Sequence, residues 1–207
     1  MKRLQLGIFA SGRGSNFSAI LDKSSKGELE ADIKLLVTNN KNAGAIKKAL
    51  VHKIPFIVIK RSMFDTRDDF VKKMLMILKD HNISFIALAG YMKKIPVEVI
   101  SEYENEITNI HPALLPSFGG KGMYGSYVHE NVLKTGCKVT GVTVHLVDNK
   151  YDHGPIVAQR CVEVKEGDTV ESLSGRVLKV EHQIYPEVLQ LFAENRVVVE
   201  DKVAKIK

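Results

Sequence analysis

Short apolar runs alternate with segments of helical period through the first half of this chain, and that alternation constrains the fold most. The apolar runs fall at residues 4–10, 32–37, 56–59, 84–89 and 106–110. Between them lie stretches that read as helices at 17–26, 43–53, 66–81 and 97–103. In the third of these, Phe70, Met74, Ile77 and Leu78 recur at helical spacing, and Pro96 suits a first turn before the fourth. Strands that are apolar almost throughout are buried on both faces. The order βαβαβαβαβ therefore predicts an α/β fold with a mostly parallel, twisted sheet and helices on both faces.

The pattern changes after residue 116. A loop at 116–125 and a helix at 126–135 precede two strands, 139–147 and 156–164, close enough in sequence for an antiparallel pair. A long helix at 169–192 follows, open to interruption at Pro186, and 201–207 reads as a solvated tail. The chain of 207 residues, 44% hydrophobic and without a repeat or low-complexity linker, is expected to form one domain over 1–207. Cys137 and Cys161 stand outside any metal-ligand spacing and read as reduced thiols in a cytoplasmic protein. Met1-Lys2-Arg3 and the apolar run after it imitate a leader, but Gln5 and the Ser11-Gly12-Arg13-Gly14 turn favour a first strand. No run approaches the ~20 apolar residues of a membrane span. A net charge of +6 favours anionic ligands, yet no basic stripe interleaved with aromatics points to nucleic acid.

The fifth run ends in Asn109-Ile110-His111-Pro112. Side chains alternate along a strand, so Asn109 and His111 share a face, and Pro112 holds His111 extended. An amide beside a titratable imidazole can stabilise and protonate a developing oxyanion. Taken alone, the triplet is more often a core strand ending in a polar turn. Ser11–Asn16 joins the first strand to the first helix, where unpaired amides and the helix dipole favour an anion. Phe17 stands where a dinucleotide fingerprint has its third glycine, and no Walker lysine follows, so a mononucleotide-like phosphate competes with an ordinary capped turn. Thr143 and His145 share one face of their strand, His145 being either a satisfied core histidine or a support for a site. Asp152-His153-Gly154-Pro155 is a turn that, folded back, pairs Asp152 with His111 and raises the imidazole's pKa. The segments 89–92 and 118–125 read as a tight strand exit and a glycine-rich flap, each with a plain surface loop as its alternative. In an open α/β sheet the loops after the first, fourth and fifth strands gather at the carboxyl edge, where ligands bind.

In order and spacing, these pieces closely resemble the phosphoribosylglycinamide formyltransferases, the folate-dependent glycinamide ribonucleotide transformylases of purine synthesis. The resemblance runs through S-G-x-G-S-N at 11–16, A-G-Y-M at 89–92, N-I-H-P-A-L-L-P at 109–116, T-V-H at 143–145, D-x-G-P at 152–155 and E-H-x-I-Y-P at 181–186. It implies a Rossmann-like fold and formyl transfer from 10-formyltetrahydrofolate to the amine of glycinamide ribonucleotide, without a metal. It also implies roles: Asn109, His111 and Asp152 catalytic; Gly14, Ser15 and Asn16 on the phosphate; Glu181 on the ribose; His145 in support. The folate pocket would be bordered by Arg67, Met92, Lys93, Lys94, Ile95, Asn109, Asp148, Asn149, Lys150, Tyr151 and Asp152.

Two departures stand out. The 116–125 flap is longer and richer in glycine than in many members, and Lys94 occupies a place that is apolar in many relatives. The competing expectations are a methionyl-tRNA formyltransferase-like or hydrolase-like enzyme using the same donor, and a nucleotide-binding module without catalysis. The partners implied are small molecules, with no nucleic acid and no membrane, for a monomer or a homodimer.

Overall fold

Strand β1 (Leu4–Phe9) lies between β2 (Ala31–Thr38) and β4 (Phe85–Leu88), parallel to both, and β3 (Phe56–Val58) pairs parallel with the far side of β2. The computed structural model describes residues 3–207, so Met1 and Lys2, the start of the leader-like stretch, lie outside the described residues. The hydrogen-bonded order of the main sheet is β3-β2-β1-β4-β5-β6-β7. The chain divides into two compact units, Met1–Thr108 and Asn109–Lys207, and the division falls within β5 (Ile107–His111).

In the first unit, helices α1 (Ser15–Ser25), α2 (Gly44–Val51), α3 (Arg67–Asp80) and α4 (Val97–Glu102) alternate with the strands, as the hydrophobic period predicts. α3 shows why a helix forms there. Thr66 caps it by accepting from the Asp69 N–H, Asp68 and Asp69 face the positive end of its dipole, and Val71, Met74, Ile77 and Leu78 are buried. Phe70, expected in that buried stripe, instead sits half-buried edge-on to Phe64, and Val71 takes its place. Leu6, Ile8, Phe9, Phe17, Ile20, Leu35, Leu36 and Ile86 form the core of this unit.

In the second unit, β6 (Val139–Leu146) and β7 (Ile156–Glu163) are antiparallel, α5 (Ser126–Lys134) precedes them, and α6 (Val170–Ala193) packs on both strands. Pro186 does not interrupt α6. It forfeits one ladder bond, but Val177, Ile184, Tyr185, Val188 and Leu189 are buried on both sides of it, and that packing keeps the helix whole. The expected tail is a hairpin: β8 (Val197–Glu200) pairs with β9 (Val203–Ile206). Asp201 and Lys202 both have positive φ (51° and 63°), the two-residue turn whose twist suits a hairpin.

Candidate active site

In the first unit, the turn after β1 is built from backbone. Gly14 has φ 72°, and a Cβ there would meet the Ala45 Cβ at 2.8 Å, so the position requires glycine. Gly14 is also the N-cap of α1 and offers no side-chain cap; Ser15 and Asn16 begin the helix rather than capping it. The dipole of a helix that starts in this way favours an anion at its N-terminus. Ser11 ties neighbouring loops to this turn: its N–H donates to the Gly90 carbonyl (3.0 Å), its Oγ accepts from the Met92 N–H (2.8 Å), and its carbonyl accepts from Asn40 Nδ2 (3.1 Å). The convergence expected of the loops after the first and fourth strands is thus present within this unit.

The same unit contains a cavity of about 970 Å³ lined by Arg67, Lys93, Lys94 and Ile95 together with Lys60, Phe70 and Tyr91. Met92 adjoins this lining and is 45% exposed. Arg67 does not stand free in it. Its guanidinium donates to both oxygens of Glu98, at 2.6 and 2.7 Å.

The titratable cluster lies in the second unit. Asn109 and His111, on one face of β5, both face Asp152, as the strand alternation predicts. Asn109 Nδ2 donates to Asp152 Oδ1 (3.3 Å) and to His145 Nε2 (3.1 Å). Because His145 Nδ1 donates to the Leu146 carbonyl (2.7 Å), its Nε2 is left as the acceptor. His145 is thus both a satisfied core histidine and a support for Asn109. Thr143, its neighbour on the same face, bridges the Ala113 carbonyl and the Leu115 N–H and so fixes the chain just beyond His111.

Asp152 takes a left-handed backbone conformation (φ 50°), and its Oδ2 accepts from the Gly120 N–H at 2.9 Å. Burial pushes its carboxyl up, but the Gly120 N–H and the nearby His145 and His111 rings in their protonated forms outweigh burial and hold it below the ordinary 3.8. Asp152 is therefore ionised at neutral pH. His111 Nδ1 lies 3.6 Å from Asp152 Oδ2, and its Nε2 donates to the Phe118 carbonyl at 2.8 Å. The raised imidazole pKa expected from that pairing is not what results. Burial pushes His111 below 6.5, and the carboxylate and the Phe118 carbonyl only partly oppose it. At rest this imidazole is neutral.

Three contributors escaped the sequence reading. The Phe118 carbonyl and the Gly120 N–H are backbone groups of the glycine-rich loop, and the pair of glycines at 119–120 was their only signal. His129 on α5 is buried, its Nδ1 has no hydrogen-bond partner among the described residues, and burial followed by the charge of His111 lowers its pKa. Of the remaining expected residues, Glu181 is buried in α6. Asp148, Asn149, Lys150 and Tyr151 form the turn leading to Asp152, with the Lys150 N–H on Asp148 Oδ1 (2.8 Å). Among the described residues, no three His, Cys, Asp or Glu side chains are grouped to hold a metal ion.

A mostly parallel sheet with helices between its strands and a glycine turn after the first of them is an α/β architecture. The chain belongs to the formyl transferase family, whose model matches residues 4–189. It is 43% identical over 198 residues to the chloroplastic phosphoribosylglycinamide formyltransferase of Vigna unguiculata, which covers 96% of this chain but only 64% of that protein. It is 38% identical over 183 residues to the phosphoribosylglycinamide formyltransferase of Bacillus subtilis (strain 168), covering 88% of this chain and 91% of that one. Among solved structures, glycinamide ribonucleotide transformylase 1 from Symbiobacterium toebii matches with a TM-score of 0.93 at 34% identity, over 99% of this chain and 94% of that chain.

Proposed function

We propose that this chain transfers the formyl group of 10-formyltetrahydrofolate to the amine of glycinamide ribonucleotide, as one domain over 1–207. The observation that carries this reading is the ionised Asp152 held between Asn109 and the buried, neutral His111. In this reading the substrate amine attacks the formyl carbon. A carbon–nitrogen bond forms, and the carbonyl electron pair becomes an oxyanion. Asn109 Nδ2 donates to that oxygen; both of its N–H groups are engaged at rest, so the oxyanion displaces one partner. Growing negative charge nearby raises the affinity of His111 for a proton. The proton shed by the amine enters the Asp152–His111 pair and leaves on the folate nitrogen as the carbon–nitrogen bond to it breaks. The pair is unchanged after each turnover.

The other roles follow the family resemblance. Gly14, Ser15 and Asn16 hold the phosphate, and Glu181 the ribose hydroxyls. Arg67, Met92, Lys93, Lys94 and Ile95, with Asn109 and the 148–152 turn, border the folate. Cys137 and Cys161, both free thiols, support a cytoplasmic setting. A spectrophotometric assay with 10-formyl-5,8-dideazafolate and glycinamide ribonucleotide tests the proposal, and turnover dependent on both substrates is expected. Calorimetric binding of both without turnover would instead indicate a binding module.

A further inference from the structure

We infer that His153 is a positioning residue for Asp152, acting through a clasp with Asp148 that closes the loop between β6 and β7. This rests on the transferase reading above, since it gives a second residue of the D-x-G-P turn a task in that reaction. The loop is tied at three levels. At its base the Leu146 N–H donates to the Pro155 carbonyl at 2.8 Å, and Gly154 packs so tightly that a Cβ would lie 2.0 Å from the Leu146 carbonyl oxygen. At its tip Asp148 Oδ1 accepts from the Lys150 N–H at 2.8 Å. Between them His153 Nδ1 meets Asp148 Oδ2 at 2.7 Å.

Asp148 thus uses one oxygen on the backbone of its own turn and the other on the residue next to Asp152. Burial pushes its carboxyl up, while the His153 bond and the Lys150 N–H more than offset this and keep it ionised. Asp152 needs such help. Its backbone is in the left-handed region, which a non-glycine residue adopts at a cost unless its surroundings impose it. The contacts to Gly120 and Asn109 fix the carboxylate end of this residue. The clasp fixes its backbone end, one residue downstream. The His153 side chain is 58% exposed, so its removal leaves the core intact and the effect is graded rather than all-or-none.

His153→Ala and His153→Asn separate this role from a general structural one, because the Asn amide nitrogen places a donor near the position of Nδ1. Hydrogen exchange over residues 147–154 and at the Gly120 amide is measured alongside steady-state kinetics. In His153→Ala, exchange is expected to quicken and kcat to fall about two- to fivefold, the size of a single exposed hydrogen bond, with the KM for glycinamide ribonucleotide unchanged. His153→Asn should restore both. Wild-type exchange in the alanine variant, faster exchange with unaltered kcat, or an asparagine variant no better than alanine would each overturn the inference. If the wild-type chain transfers no formyl group, the reading of the preceding section fails. Exchange then decides the clasp alone, and equal rates in wild type and His153→Ala overturn it.

Discussion

The glycine turn after β1 and the cluster at the end of β5 solve different problems with different materials. The turn offers main-chain amides at a helix start that a single glycine makes possible. Its side chains are accessories, and under the proposed function the anion there would be held by several groups that share the load. The cluster offers side chains whose polar atoms are engaged one by one, in surroundings where burial shifts each proton equilibrium. The comparison teaches that binding strength should degrade gradually at the first region, while chemistry should fail sharply at the second.

The largest expected effect tests the second half of that statement. Asp152→Asn keeps the size of the side chain but removes the charge and the proton acceptor, and kcat should fall by about 10²–10⁴. A variant within tenfold of wild type would take Asp152 out of the chemistry. Next, Ser15→Ala combined with Asn16→Ala should raise the KM for the nucleotide by about 10–100-fold, the loss of a hydrogen bond or two to a charged group. kcat should change little. A collapse of kcat at constant KM would break the contrast between the regions.

A smaller effect should appear in stability. His111 and His129 both have pKa values pushed below 6.5 by burial. As pH falls through 6.5 the unfolded chain takes up protons that the folded chain refuses, so stability falls, by at most about 1.4 kcal/mol per pH unit for each imidazole. Asp152, held below 3.8, adds a loss of the same sign only at more acid pH, as the pH drops through its folded value. Thermal unfolding between pH 8 and pH 5 should show the decline, and His129→Gln should make it shallower. An equal slope in that variant would mean that His129 protonates in the folded chain as readily as in the unfolded one.

Much of this was legible in the sequence wherever a period of 2 or 3.6 carried it. Helices α1 to α6 and the strands through β7 sit within a residue or two of expectation because all but the short edge strand β3 bury an apolar face. The β8–β9 hairpin was missed because its second strand is only four residues long, with lysines on either side of Ile206, and its turn lacks glycine, using Asp201 and Lys202 instead. Asn109, His111 and Asp152 could be paired from strand alternation and topology. The Phe118 carbonyl and the Gly120 amide could not, because a backbone group has no residue signature. The proton balance of His111 was read with the wrong sign for a related reason. The partner Asp152 is visible in the sequence, but the depth of burial that outweighs it is a property of the packed unit.

The smallest expected effect lies in the same unit as the glycine turn, at the cavity where Arg67 is held by Glu98. Both side chains are substantially exposed, so their pairing contributes little to stability, and Glu98→Gln should leave the unfolding temperature nearly unchanged. Its consequence should lie in ligand competition. Glu98 is a carboxylate already seated on the guanidinium that an anionic folate tail would approach, so any such ligand displaces it. Neutralising Glu98 should tighten binding of the folate analogue by no more than about fivefold, read by calorimetry, with kcat unaltered. Weaker binding would mean that Glu98 holds Arg67 in place for the ligand rather than away from it. Binding in the first unit would then depend on a fixed side-chain geometry much as the cluster around Asp152 does, and the contrast between the two units would narrow.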